Sequence, residues 1–121
     1  MLGQLGTVPP IRFVPWSAPV DRGIFATTLF TPADGVDIGA VFADAYADAP
    51  LVRIRSESPT LRCVRGSALA DVSFEQSDDG AAVLCAIDNL GRGAAGQAIA
   101  ALNLSLGLPV DSGLRFLPPT P

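Results

Sequence analysis

Residues 83–107 constrain the fold most, because they join an apolar strand, a glycine-rich turn and a helix of small residues. Gly91, Gly93 and Gly96 have the G-x-G-x-x-G spacing that binds a dinucleotide when it joins a strand to a helix. That fold also needs a second parallel strand after the helix, bringing an acidic residue to the ribose. Asp111 has a suitable spacing, but the proline-rich residues around it predict no strand. A dinucleotide-binding fold is therefore not expected.

The same stretch predicts a helix that other surfaces cover. Between residues 93 and 106, glycines and alanines leave little side-chain volume, and Ala95, Ile99, Leu102 and Leu106 form an apolar stripe. Burial of each large side chain contributes about 1.5–3 kcal/mol, and a whole domain is stable by only about 5–15 kcal/mol. Because the flank of the stripe is apolar too, we expect the sheet to cover one side and another domain or subunit to cover the other.

The composition excludes several classes of function. The chain has 121 residues, a net charge of −4 and 49% hydrophobic residues, which indicates a folded domain. All eight basic residues are arginines and they form no run, so no nucleic-acid partner is expected. Without lysine or histidine there is no Schiff base, no Ser-His-Asp triad and no imidazole ligand, which removes most of the usual small-enzyme chemistries. We predict no catalytic residue and no metal site in this chain. No apolar run reaches the ~20 residues of a membrane span and no signal peptide is evident, which predicts a cytoplasmic protein without a membrane partner.

The two cysteines, Cys63 and Cys85, lie in apolar runs that resemble strands. A reactive thiol needs a base or a positive field, and strand alternation would point Arg62 away from the Cys63 face. We therefore expect two ordinary buried cysteines and no disulfide.

Short apolar runs between turn signals predict five or six strands. Arg22–Phe30 is rich in β-branched and aromatic residues that do not alternate, which indicates a strand covered on both faces. Leu51–Arg55 alternates, and its arginines are expected to face solvent. An Asp-Gly pair at 79–80 predicts a hairpin between Leu69–Phe74 and Ala81–Ile87. Further strands are predicted over Ile11–Val14 and Thr60–Val64.

Two helices complete the expected fold. Asp34 can cap a first helix that begins near Val36 and ends at Pro50. The second helix spans residues 93–106, and the proline-rich tail at 109–121 is expected to extend along a surface. The sequence thus predicts one α+β domain over residues 1–121, with two main helices on an antiparallel-rich mixed sheet.

Three segments together resemble a known family. They read Asn-Leu-Gly-Arg-Gly-Ala-Ala-Gly-Gln-Ala at 89–98, Val-Arg-Gly-Ser at 64–67, and Phe-Val-Pro with Pro-Val-Asp-Arg-Gly-Ile between 13 and 24. These segments are similar to motifs in the C-terminal part of N-acetyl-γ-glutamyl-phosphate reductase, a member of the semialdehyde dehydrogenase superfamily. Arg92 stands where that family usually has lysine.

The resemblance implies the substrate and dimerisation part of a two-domain enzyme, folded like the C-terminal domain of the glyceraldehyde-phosphate and semialdehyde dehydrogenases. In that family a cysteine takes the acyl group as a thioester, and NADPH reduces it to the semialdehyde in arginine biosynthesis. The nucleophile, the histidine base and the Rossmann domain have no counterpart in this sequence. The chain by itself is therefore expected to bind no NADP and to be inactive, with the missing NADP-binding domain and a second copy as partners in a dimer or larger homo-oligomer.

The resemblance also implies site residues. Four of them would border the nicotinamide: Asn89, Gly93, Ala94 and Gly96. Arg65 and Ser67 would contact the acyl phosphate or a carboxylate of the substrate. Other interpretations stay open: Asn89 caps the helix while the glycines allow packing, and Arg65 is a surface arginine. For the whole chain, the alternatives are a stand-alone, non-catalytic dimerisation or regulatory module derived from this fold, or the equivalent part of an aminoadipyl-phosphate reductase of lysine synthesis.

Overall fold

The computed structural model describes residues 10–116, which form a mixed sheet flanked by two α-helices. The elements are β1 (Ile24–Phe30), α1 (Ile38–Ala45), β2 (Val52–Ile54), β3 (Ala70–Ser77), β4 (Gly80–Ile87) and α2 (Gly96–Ser105). The strands lie in the order β1-β4-β3-β2; β4 is antiparallel to both neighbours and β2 is parallel to β3. The predicted α+β class is confirmed, with four strands in the described residues where five or six were expected.

The β3–β4 hairpin is confirmed and is longer than predicted. Ser77 pairs with Gly80, so the turn has only two residues, and β3 continues beyond the predicted end at Phe74. Gly80 has a φ of 143°, and a Cβ there would lie 3.0 Å from the carbonyl oxygen of Phe30 on β1. Glycine therefore allows the turn and the neighbouring strand to approach each other closely.

Strand β1 is present, but the prediction that both its faces are covered is wrong for the described chain. All seven residues of β1 are exposed, and Leu29 has 76% of its surface accessible. The strand pairs with β4 along one edge and forms the margin of the sheet. A long apolar edge of this kind is normally covered by another element or chain.

Two predicted strands are wrong. Residues 11–14 form no strand and are exposed, and Leu61–Cys63 forms a single 3-10 turn inside the predicted strand Thr60–Val64. Strand propensity depends on packing against a neighbouring pleated surface, and neither segment has one among the described residues. Cys63 is consequently exposed and not buried, whereas Cys85 on β4 is half-buried; burial raises the pKa of the Cys85 thiol.

Helix α1 begins at Ile38, and its cap is Asp37 where Asp34 was predicted. The Asp37 carboxylate accepts a hydrogen bond from the backbone N–H of Ala40 at 3.2 Å. The Gln76 side chain on β3 accepts another from Ile38 N–H at 2.9 Å, so the sheet itself fixes where the helix begins.

The main apolar cluster joins α2 to the loops on either side of it. Leu51, Ala68, Ala100 and Leu114 are buried there. The tail contributes to this core because residues 110–114 form turns and are not extended as predicted. The Asn103 amide on α2 holds these turns through the carbonyl oxygens of Val110 and Ser112, at 3.1 and 2.9 Å. The predicted tail residues 117–121 lie outside the described residues.

Arg53 was expected to face solvent, and the structure corrects this. Its guanidinium makes two hydrogen bonds, of 2.6 and 2.9 Å, to the fully buried carboxylate of Asp71 on β3, and one of 2.9 Å to the carbonyl oxygen of Cys63. Arg55 is more exposed and lies 4.0 Å from the same carboxylate. A buried charge needs such a partner, which alternation along one strand does not reveal.

Candidate functional site

The turn between β4 and α2 has the geometry on which the candidate site depends. Residues Gly91–Ala95 form a π-helical turn that continues directly into α2. Its wide backbone bonds run from Gly93 N–H to Asp88 C=O at 2.9 Å and from Ala95 N–H to Leu90 C=O at 3.1 Å. The predicted helix over 93–106 is confirmed, and it ends where Gly107 takes a φ of 69°. Single π turns often occur at functional sites.

Asp88, the last residue before this turn, is fully buried and accepts four hydrogen bonds. Its Oδ1 accepts from Arg22 Nη2 at 2.6 Å, from Leu90 N–H at 2.9 Å and from Gly91 N–H at 2.6 Å. Its Oδ2 accepts from Gly66 N–H at 2.6 Å. We call these five residues the Asp88 cluster.

Asp88 is held in its ionised form at the start of the helix, paired with the Arg22 guanidinium. Burial by itself raises the pKa of Asp88, but the hydrogen bonds from Arg22 and from three backbone amides together lower that pKa well below its usual range. The helix amides that could bind an external anion at this end are thus occupied by an anion of the same chain. Sequence reasoning missed Asp88; its signal was an acidic residue between an apolar strand and a helix.

Asn89 lies beside the cluster and does not cap the helix. The alternative in which Asn89 is the helix cap is therefore wrong. Its side-chain oxygen accepts a hydrogen bond from Gly23 N–H at 2.8 Å, and the capping role belongs to Asp88. Asn89 therefore connects the start of β1 to the start of the π turn. Its predicted contact with the nicotinamide stays a prediction.

The glycines of the motif have different surroundings. A Cβ on Gly91 would collide with the carbonyl oxygen of Ser67, and a Cβ on Gly96 would lie 2.7 Å from the carbonyl oxygen of Gly91. Both glycines therefore allow close packing within this chain. A Cβ on Gly93 would make only ordinary contacts, the nearest at 3.4 Å, and Gly93 and Ala94 are both exposed. These two residues are where another surface can approach.

Arg65 and Ser67 are placed differently from each other. Arg65 is exposed and forms an ion pair with the equally exposed Asp21, an interaction worth about 0–1 kcal/mol. Ser67 is fully buried; its hydroxyl donates to the carbonyl oxygen of Val64 at 2.7 Å and accepts from Leu69 N–H at 3.2 Å. The structure thus gives Ser67 the role of holding its turn, and its predicted substrate contact stays a prediction without geometric support.

The structure brings the two groups of predicted residues together. Gly66 stands between Arg65 and Ser67 in the chain, and its N–H donates to the carboxylate of Asp88, which directly precedes Asn89. Groups that are far apart in the sequence therefore meet at one buried carboxylate.

Helix α2 has one covered side and one open side. Gly96, Ala100 and Asn103 are buried, but the sheet was expected to cover this side, and Ala100 instead packs against Leu51, Ala68 and Leu114, which lie outside the strands. On the other side Ile99, Leu102 and Leu106, the large residues of the α2 stripe, are 42%, 56% and 64% exposed. Within residues 10–116 the second cover that the sequence predicts is thus not supplied.

Over the described part of the chain, 10–116, no helix has the length and hydrophobicity to cross a bilayer. The same range has no cluster of three side chains among His, Cys, Asp and Glu that could hold a metal ion.

A mixed sheet with an exposed apolar edge, and a helix with one open apolar side, define an association module of the α+β class. A family model described as the semialdehyde dehydrogenase dimerisation domain matches residues 2–89, and the chain belongs to that family. The match confirms the family predicted from the sequence motifs.

Relatives support the same assignment in more detail. The chain is 43% identical to the N-acetyl-γ-glutamyl-phosphate reductase of Salinispora arenicola, with 92% of the chain and 34% of the relative aligned. It is 41% identical to the protein of that name in Methanosarcina barkeri, with 99% of the chain and 37% of the relative aligned. The Listeria monocytogenes relative is 34% identical over 95% of the chain and 36% of its own length. The chain thus spans about a third of the relatives it matches, and it resembles their C-terminal portion.

Proposed function

We propose that this chain is the substrate-binding and dimerisation part of an NADP-dependent N-acetyl-γ-glutamyl-phosphate reductase of arginine biosynthesis. In the proposed reaction the acyl phosphate is reduced to the semialdehyde with release of inorganic phosphate, and bound NADPH would supply the hydride. The observation that carries the proposal is that relatives with this name match more than nine-tenths of the chain. The chain contains neither lysine nor histidine, which favours catalytic groups located elsewhere in the whole protein.

The residues at the start of α2 fit the nicotinamide end of the cofactor better than its phosphates. The N–H groups of Leu90 and Gly91 already donate to the Asp88 carboxylate, so they are not free to bind a phosphate. Gly93 and Ala94 instead present a low, exposed surface suited to a flat ring. Asn89 has its oxygen engaged by Gly23, so the amide nitrogen is the group we assign to the nicotinamide. Gly96 supports this surface from inside the helix, and the phosphates are assigned to the NADP-binding domain.

Arg65 is the residue we assign to the acyl phosphate or the substrate carboxylate. Its ion pair with Asp21 is exposed on both sides, so exchanging that partner for a ligand anion costs little. A guanidinium also matches the geometry of both anions through paired N–H groups. Ser67 contributes by holding the turn that carries Arg65.

A second copy of the chain and the NADP-binding domain are the proposed covers for the exposed apolar surfaces. The family to which the chain belongs is described as a dimerisation domain, which supports a homo-oligomer built on this sheet. The α2 stripe is assigned to the NADP-binding domain, since α2 follows the part of the chain that the dimerisation model matches. As an enzyme of amino-acid synthesis the complete protein is placed in the cytoplasm.

The proposal is tested by comparing this chain with the full-length protein that contains it. Full-length protein should oxidise NADPH when N-acetyl-γ-glutamyl phosphate is added, and the 121-residue chain should neither do so nor bind NADPH. Activity in the chain by itself would contradict its assignment as a non-competent part. If the full-length protein prefers aminoadipyl phosphate, the chain is part of a reductase of lysine synthesis. If it lacks a second domain and any reductase activity, the chain is a non-catalytic module.

The assignment of Asn89 has a sharper test in the full-length enzyme. Asn89→Asp keeps the oxygen that accepts from Gly23 and replaces the NH2 donor by a charged carboxylate oxygen, so KM for NADPH should rise at least about threefold to tenfold, the effect of one lost hydrogen bond. Gln97→Glu makes the same chemical change at an exposed position on α2 and should leave KM unchanged. Equal effects of the two substitutions would refute the assignment.

A further inference from the structure

The Asp88 cluster joins three chain segments; two of them adjoin a proposed site residue, and the third adjoins the ion-pair partner of one. Arg22 is next to Asp21, the ion-pair partner of Arg65. Gly66 directly follows Arg65, and Leu90 directly follows Asn89. The carboxylate therefore accepts hydrogen bonds both from the segment that carries Arg65 and from the segment that carries Asn89, while it is itself fully buried.

We propose that Asp88 is the positioning residue of the site, which holds the turn bearing Arg65 and the helix start bearing Asn89 in one fixed arrangement. The inference rests on the proposed function where it is tested by enzyme kinetics. Where it is tested by hydrogen exchange, it rests only on the contacts of Asp88. Arg22 is the charged partner that keeps the carboxylate ionised inside the protein.

The physical basis of the positioning role is that each carboxylate oxygen accepts hydrogen bonds from a different segment. Oδ1 accepts from Leu90 and Gly91 on the helix side, and Oδ2 accepts from Gly66 on the substrate side. Hydrogen bonds to an ionised acceptor are about twice as strong as neutral ones, and a carboxylate is rigid. The position of Gly66 relative to the π turn is thus set by one planar group.

The turn at Gly66 and the π turn are also closely packed, which limits how the turn can respond when the Asp88 bond to Gly66 is lost. The Ser67 carbonyl oxygen lies where a Cβ of Gly91 would be, so the two backbones are already in contact. If the Asp88 bond to Gly66 is lost, the turn cannot move closer to the helix and can only move away. Arg65 and the helix start would then separate.

Asp71 provides a matched control, because it is also fully buried and paired with an arginine. Its carboxylate accepts two hydrogen bonds from the one guanidinium of Arg53, and no backbone amide of the two site segments donates to it. Asp71→Asn removes no hydrogen bond of the Asp88 cluster and leaves Arg53 able to donate to the carbonyl oxygen of Cys63, so we expect it to affect stability with little change in the geometry of the site.

The test uses the full-length enzyme with Asp88→Asn and Asp71→Asn. An amide at position 88 can keep its oxygen toward Leu90 and Gly91 only by turning its NH2 group toward the Gly66 N–H. We expect KM for the acyl phosphate to rise at least about tenfold in Asp88→Asn and to change less than about twofold in Asp71→Asn. A purely structural role would lower the active fraction, hence the apparent kcat, and leave KM alone.

Amide hydrogen exchange gives a second measurement that needs no activity. In Asp88→Asn, exchange at Gly66 should accelerate by about tenfold or more, whereas Asp71→Asn should leave it unchanged. An unchanged KM in Asp88→Asn overturns the positioning role, whatever the exchange shows. If the wild-type protein does not reduce the acyl phosphate, the proposed function fails separately, and exchange alone decides: faster exchange at Gly66 supports the inference and unchanged exchange overturns it.

Discussion

The start of helix α2 and its open side differ in how far the chain supplies contacts for their polar and apolar groups. At its start, the Asp88 carboxylate is fully buried and receives four hydrogen bonds from three segments. Along its open side, the large residues of the α2 stripe are between two-fifths and two-thirds exposed. The carboxylate finds its hydrogen-bond donors within the chain, although the buried Nε of Arg22 has no partner among the described residues, whereas the apolar stripe is left uncovered there.

The difference follows from the two kinds of interaction. A buried charge without partners is very costly and must find specific donors at fixed positions, so its surroundings have to be built by the same fold. Apolar burial has no direction and is satisfied by any surface of matching shape, so a second domain or subunit can supply it. A domain of this kind can set the local geometry of a site while leaving its outer surfaces to partners.

The largest effect at the start of α2 is expected from Gly91→Ala, which would disrupt the close packing of the π turn against Ser67. The new Cβ would overlap the backbone carbonyl oxygen of Ser67, which no side-chain rotation can relieve. We expect the free energy of unfolding of the full-length protein to fall by about 3 kcal/mol in urea denaturation. Gly93→Ala is the control, since its Cβ would meet ordinary contacts and the change should be neutral or stabilising by up to about 1 kcal/mol. Equal losses in both variants would contradict the packing argument.

A smaller effect is expected from Asp88→Asn, and it should depend on pH. The folded pKa of Asp88 is lowered, so its ionised form stabilises the protein above the unfolded pKa of about 3.9, and that contribution is lost as the pH falls toward the folded value. The variant should be less stable than wild type by about 2 kcal/mol at pH 7.

The pH profile separates this charge effect from a packing effect. Urea unfolding between pH 7 and pH 3 should show the wild type losing its advantage over Asp88→Asn below about pH 4. A difference that stays constant across this range would mean that the carboxylate charge is not what stabilises the cluster.

The smallest effect on the free energy of unfolding is expected from Leu102→Ala, on the open apolar side of α2. Leu102→Ala removes a largely exposed side chain, so the isolated chain should lose less than about 0.5 kcal/mol. In the full-length protein the same change should cost roughly 1–2 kcal/mol, because a partner surface then covers the stripe. Leu114→Ala, at a buried position of the main cluster, should cost about 2–5 kcal/mol in both. A cost at Leu102 that is the same in both proteins would show that nothing covers α2.

Local signals in the sequence were sufficient to predict the β3–β4 hairpin and helix α2. The Asp-Gly pair at 79–80 gave the turn because its backbone preference does not depend on distant residues. The strand predicted over Thr60–Val64 failed because β-branched and apolar residues need a neighbouring strand, which local sequence cannot supply. Asn89 and Arg65 could be assigned from a motif, but their connection through Asp88 could not.

By itself, the sequence determined the fold class, the family and the demand for a second apolar cover on α2, because periodicity, glycine spacing and side-chain volume are local properties. Only the tertiary structure decided that Asp88 caps the helix, that Gly91 and Gly96 serve packing inside the chain, and that Ser67 faces the interior. The burial and pairing of Asp88 depend on groups that meet across 22 to 66 residues of chain, the Gly66 N–H and the Arg22 guanidinium. Such meetings are set by the packing of the sheet against its loops, and no single segment encodes them.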